Sequence, residues 1–165
     1  MGNPVKMGLI IRPALATDTD GIARAHVASI QSLGASVYDA EVVNDWGAPR
    51  PAEHYVRRMQ AGAQLFVAVE DGRIIGFSDY RVEKGHHRTA VYVRGDAARK
   101  GVGTTLFAAA ENAARLHGAR EIRVDASLVA APFYAANGFE ELGGGEHELK
   151  SGRKMACVFM RKLLR

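Results

Sequence analysis

Two short apolar runs, residues 65–69 and 74–80, lie on either side of Asp71-Gly72. Asp and Gly tolerate the positive φ angles that a two-residue hairpin turn demands, so the runs are set to pair as antiparallel strands. A sheet is therefore the framework, and the remaining segments must extend it or cover it.

Upstream, residues 9–12 read as a strand ended by Pro13. Thr17 offers a capping oxygen with Asp20 three residues on, opening a helix whose inner face is Ile22, Ala25, His26, Ser29 and Ile30, with Gly34 as its stop. Residues 39–46 read as a second helix, and Pro51 at a first turn starts a third over 51–60, ended by Gly62. Downstream of the hairpin, a polar linker over 83–88 leads to a strand at 89–93. Val102, Leu106, Ala109, Ala110 and Ala113 then recur at helical spacing up to Gly118. Residues 121–126 alternate as a half-buried strand, 130–136 are helical, and 139–142 and 155–160 read as final strands joined by a glycine-rich turn at 143–145. There is no repeat and no dividing linker, so the expectation is one mixed α/β domain over 1–165, with 1–8 as a flexible N-terminus.

Composition narrows the function. A chain of 165 residues with 47% hydrophobic and 24% charged side chains suits one packed core and excludes bulk disorder. No apolar run nears the ~20 residues that span a bilayer, and no leader or lipidation signal is visible, so a cytoplasmic, membrane-free protein is expected. One cysteine, Cys157, gives neither an internal disulfide nor a cysteine-based zinc site; it is expected to be an inert core thiol. The net charge of +4 comes from scattered residues, which argues against nucleic acid and suits a small polyanionic ligand.

The stretch from Val91 to Leu106 puts a glycine-containing turn between a strand and a helix, where free N–H groups and the helix dipole make an anion site. It is not a Walker loop, because Lys100 precedes Gly101, and it lacks the third glycine of a dinucleotide fingerprint, Leu106 standing there. The glycines of Ala98-Arg99-Lys100-Gly101-Val102-Gly103 do fit a coenzyme A pyrophosphate loop, with Ala98 where that pattern has Gln or Arg. The stretch from Ser127 to Phe139 follows in strand-then-helix context. With both stretches in place the chain resembles the GNAT superfamily of acyl-CoA-dependent N-acetyltransferases, over residues 10–160 and most strongly over 91–139.

The resemblance implies a mixed, mostly antiparallel sheet of about seven strands, splayed between the fourth and fifth, with about four flanking helices and acetyl-CoA as co-substrate wedged in the gap. It implies a pyrophosphate held on Arg99, Lys100, Gly101, Val102, Gly103, Thr104 and Thr105, and a pantetheine arm running along Val91 and Val93. The Val93 N–H would polarise the thioester and Tyr134 would protonate the departing thiolate. No metal is implied. The acceptor would be a small-molecule or peptide amine, bound between residues 33–59 and a loop at 143–152. Asp39, Glu41 and Asp45 are candidates to attract it, and Tyr38 and Trp46 to line its pocket. Thr89 stands where related enzymes often carry a basic carboxylate; Asp79, His87 or water are the alternatives, His86 and His87 being otherwise solvated loop residues. A homodimer is compatible with this reading. The rival is a non-catalytic acyl-CoA sensor or interaction module, for which the residues at 89 and 98 speak.

Overall fold

The hairpin forms as its turn requires: in the computed structural model, which describes residues 8–97 and 101–165, Asp71 and Gly72 have φ of 51° and 76°. They join β2 (Gln64–Glu70) to β3 (Arg73–Glu83). The expected linker over 83–88 is instead a second two-residue turn, with Lys84 and Gly85 at φ 51° and 78°, and His86, His87 and Arg88 open β4 (His86–Val93). Lys-Gly carries less turn signal than Asp-Gly, but the backbone solution is the same.

The other strands are β1 (Ile10–Pro13), β5 (Glu121–Ser127), β6 (Glu140–Glu148) and β7 (Lys154–Leu163), in the order β1-β2-β3-β4-β5-β7-β6. All pairs are antiparallel except β4 with β5, which run parallel and meet at one register pair, Arg88 with Arg123. Beyond it the strands diverge into a V. Its apex is tied by Arg88 to Asp125 at 2.7 Å, and His147 with Arg88 holds the Asp125 carboxyl down to about 2. The glycine turn expected at 143–145 lies inside β6, where the three glycines pair with Phe159, Val158 and Cys157. A Cβ at Gly145 would collide with the Phe159 ring, so glycine here serves packing and not reversal.

Five α-helices among the described residues cover this sheet: α1 (Thr19–Gly34), α2 (Ala40–Trp46), α3 (Ala52–Gln60), α4 (Val102–Leu116) and α5 (Ala131–Ala136). α1 begins after a 3-10 turn, Ala16–Asp18, and the organising side chain is Asp18 in place of Thr17: it accepts the Leu15 N–H and both Arg12 guanidinium bonds at 2.7 and 2.9 Å. The inner face of α1 is the expected one, and Ile22 packs with Tyr55, Leu65, Val67 and Phe77 on one side of the sheet. α4 covers the other side, burying Val102 and Leu106 against Ala68 and Ile75. No helix among the described residues is long and apolar enough to cross a membrane.

Candidate functional site

Alternation along β4 decides which backbone groups face the gap. Arg94 N–H donates back to Ile75 on β3, whereas Val91 N–H donates at 3.0 Å to the hydroxyl of Tyr134, on the far side of the V. Since N–H groups two residues apart point the same way, the Val93 N–H also opens into the gap. Tyr134 is buried beneath Phe133 and Phe139, and burial pushes its phenol well above the ordinary tyrosine range, so it carries its proton at any physiological pH. Having accepted the Val91 N–H, the hydroxyl retains its own proton to give.

α4 presents its N-terminus to the mouth of the same gap. Gly101 turns into it at φ 78°, a conformation costly for a residue with a side chain. The N–H groups of Val102, Gly103 and Thr104 precede the Thr105 N–H to Gly101 O bond at 3.1 Å and have no backbone acceptor among the described residues, as an anion site requires. The Val102 side chain is core and the Thr105 hydroxyl bonds to the Gly101 carbonyl, so those two residues face the site with little beyond their backbone. Of the expected phosphate contacts, Arg99 and Lys100, with Ala98 beside them, lie outside the described residues. A cavity of about 1600 Å³ joins Gly101, Gly103, Thr104, Val91, Val93 and Tyr134 and continues through the V to the α1 and α3 side.

The family model for the GNAT acetyltransferase domain matches residues 34–163. The chain belongs to the GNAT acetyltransferases. A GCN5-related N-acetyltransferase of Rhodopseudomonas palustris is 31% identical, with a TM-score of 0.83 over 99% of this chain and 100% of that one. The PaiA N-acetyltransferase of Thermoplasma acidophilum, solved with coenzyme A, shares the fold at 20% identity and TM-score 0.74, over 96% of this chain and 100% of that one. A phosphinothricin acetyltransferase of Sinorhizobium meliloti, solved with acetyl-CoA, does so at 21% and 0.74, over 96% and 89%. No curated protein matches the sequence.

Within this GNAT domain the candidate bases are otherwise engaged. Thr89 is buried and donates to the Asp79 carbonyl at 2.7 Å. Asp79 is clamped by Arg58 at 2.7 Å and by Arg81 at 2.9 and 3.0 Å, leaving its oxygens turned to guanidinium groups. His87 is in strand and not in a loop, bonded to the Tyr80 hydroxyl at 2.7 Å. It lies six residues along β4 from Val93, about 20 Å at the usual rise. The three acidic residues expected to attract an amine are likewise occupied. Asp39 caps α2 through the Val42 N–H, and Glu41 and Asp45 each bind Arg153 at 3.2 Å. Cys157 is buried in β7, where burial raises its thiol and keeps it a poor nucleophile.

Of the two aromatics expected to line the acceptor pocket, Trp46 does and Tyr38 stands behind it. Trp46 lines the cavity and packs edge-on to Tyr38, whose hydroxyl donates to the Ala156 carbonyl at 2.6 Å and accepts the Leu128 N–H at 2.8 Å, tying the segment before α2 across the V. Sequence reasoning missed Arg50, His54 and Arg58 in this wall and the position of His26 beneath it. Their residue types carried no spacing signal, because three separate segments bring them together.

His26 gives a pH signature. Burial, then Arg50, Arg58 and His54, drive its pKa down to about 3, and burial lowers His54 in the same direction. An unfolded histidine takes up a proton near ~6.5. The folded state therefore keeps this contribution above pH ~6.5 and loses it as pH falls from there towards 3, by up to ~1.4 kcal/mol per unit for His26. Urea unfolding at pH 7, 6 and 5 should show that slope, and His26→Leu should flatten it; an unchanged slope in the variant would contradict the assignment.

Proposed function

We propose that the domain transfers an acetyl group from acetyl-CoA to a primary amine of a small molecule or peptide within one ternary complex. The observation that carries this reading is the convergence on one gap of the Val93 N–H, the Tyr134 hydroxyl and the open turn of α4. The open turn of α4, with Arg99 and Lys100 preceding it in the sequence, takes the pyrophosphate on residues 99–105, and the pantetheine arm lies along Val91 and Val93. The acetyl carbonyl oxygen accepts the Val93 N–H, which stabilises the negative charge that develops as the neutral amine attacks. Collapse of the tetrahedral species breaks the carbon–sulfur bond, and Tyr134 gives its proton to the sulfur. The burial that raises the phenol also disfavours the bare thiolate, so donor and acceptor stay matched. The amine's surplus proton leaves through water, since Thr89, Asp79 and His87 are held elsewhere.

Acetyl-CoA should raise the melting temperature because it binds the folded chain alone. At a free concentration of 100 times Kd the stabilisation is ~2.7 kcal/mol. A thermal-shift titration with NAD and ATP as controls reads this out. Shifts of equal size with NAD or ATP would remove the acyl-CoA assignment. A shift with acetyl-CoA but no CoA release across a broad amine panel is what a sensor would give.

A further inference from the structure

The acceptor end of the cavity is lined by cations that the protein does not fully neutralise. Arg58 and Arg81 are committed to Asp79, and Arg81 also reaches Glu83 at 3.2 Å. Exposed Glu148 and Lys150 offset each other in charge at the rim. Arg50 remains. It is half-buried in the connection between α2 and α3, it lines the cavity with Trp46, Tyr55 and Tyr92, and it forms no ion pair among the described residues. The acidic residues that the sequence offered to this region, Asp39, Glu41 and Asp45, are turned to a helix cap and to Arg153.

A second observation points to the same place. His26 is 7% exposed and lines the cavity, and its Nε2, sealed from solvent, has no hydrogen-bond partner among the described residues. Its Nδ1 lies 2.8 Å from the Tyr55 hydroxyl. Burial, with Arg50 and Arg58 nearby, keeps this imidazole neutral, so the charge in this wall is that of the guanidinium groups. The ring is fixed by Tyr92 at 4.2 Å and Phe77 at 5.3 Å. The charged donor in this aromatic wall is the planar Arg50 guanidinium, and the planar acceptor that suits it is a carboxylate.

We propose that the acceptor is a small amine that also carries a carboxylate, an amino acid or close analogue. Arg50 holds the carboxylate, while Trp46 and Tyr92 flank the side chain. This rests on the N-acetyltransferase reading given under Proposed function. It reverses the sign of the acceptor site drawn from sequence: the pocket attracts an anion and repels a polyamine.

The chain has one tryptophan, Trp46, so binding can be read from intrinsic fluorescence without turnover. With acetyl-CoA or CoA present, L-leucine, L-methionine and L-phenylalanine are titrated beside their amides, their decarboxylated amines and spermidine. Half-maximal change for the free acids should come at roughly 10²-fold lower concentration than for the amides, the scale of one desolvated charge-assisted pair. The same ratio should appear in kcat/KM for CoA release. Arg50→Gln should remove the preference by raising KM for the acids with kcat nearly unchanged, the pattern of lost uniform binding. Arg50→Lys should recover only part of it, for want of the bidentate fork. Equal responses to acids and amides, preference for spermidine, or an unchanged KM in Arg50→Gln would each overturn the proposal. The parent reading fails differently, by loss of the acetyl-CoA thermal shift, and the fluorescence titration still decides the carboxylate site.

Discussion

Tyr134→Phe should lower turnover by roughly 10²-fold or more while leaving acetyl-CoA affinity within a few-fold, the usual scale for removing a positioned acid. The ring stays where it packs, about 5 Å from the rings of Phe133 and Phe139. What disappears is the proton donor and the acceptor for the Val91 N–H. The second loss costs about 1–3 kcal/mol of stability, the ordinary cost of leaving a buried amide unpaired. The assay is therefore run well below the variant's own melting temperature. Single-turnover rates with saturating acetyl-CoA separate the effects, because a packing residue changes stability and leaves the rate alone. Wild-type rates in Tyr134→Phe would return the residue to packing only.

Gly103→Glu should abolish acetyl-CoA binding within the range of calorimetry, a loss of more than 10²-fold. A Cβ at residue 103 would lie 3.0 Å from the Phe133 ring and 3.6 Å from a Val93 methyl, so the side chain would enter the gap where the ligand arm must pass. Its carboxylate would also compete for the α4 N–H groups that a pyrophosphate needs. The helix itself tolerates the change, since residue 103 has helical backbone and Glu favours a first turn. Circular dichroism should show a folded variant. Gly103→Gln separates bulk from charge: it should weaken binding less than Glu does. A folded Gly103→Glu protein that binds acetyl-CoA normally would remove the α4 N-terminus from the binding site.

Much of the frame is local and so legible in the chain. Asp71-Gly72 fixes a hairpin through φ angles that only a few residues tolerate, and α1 shows its inner face from Ile22 to Ile30 by period alone. The glycines at 101 and 103 announce a close approach at a helix start for the same steric reason. Where local signals were weaker, the expectations slipped. Lys84-Gly85 reads as part of a linker because Lys seldom takes positive φ, and the glycines at 143–145 read as a turn although Gly145 is there for Phe159, fourteen residues beyond it.

The candidate site divides along the same line. Tyr134 and Val93 were legible because each sits at a fixed offset from a glycine motif. The bond between the Tyr134 hydroxyl and the Val91 N–H beside them was not, since it depends on β4 and β5 running parallel and parting after a single register pair. The acceptor wall lay further from reach. Asp45 reads as a free carboxylate until Arg153, more than a hundred residues away, closes on it, and Arg50 reads as a loop cation until α1 and β4 bring His26 and Tyr92 beside it. Most elements and the Asp71-Gly72 turn are readable along the chain because their energetics are settled within a few residues. The charge of the pocket is not, because ion pairs are settled by which side chains share a volume and no spacing along the chain encodes that.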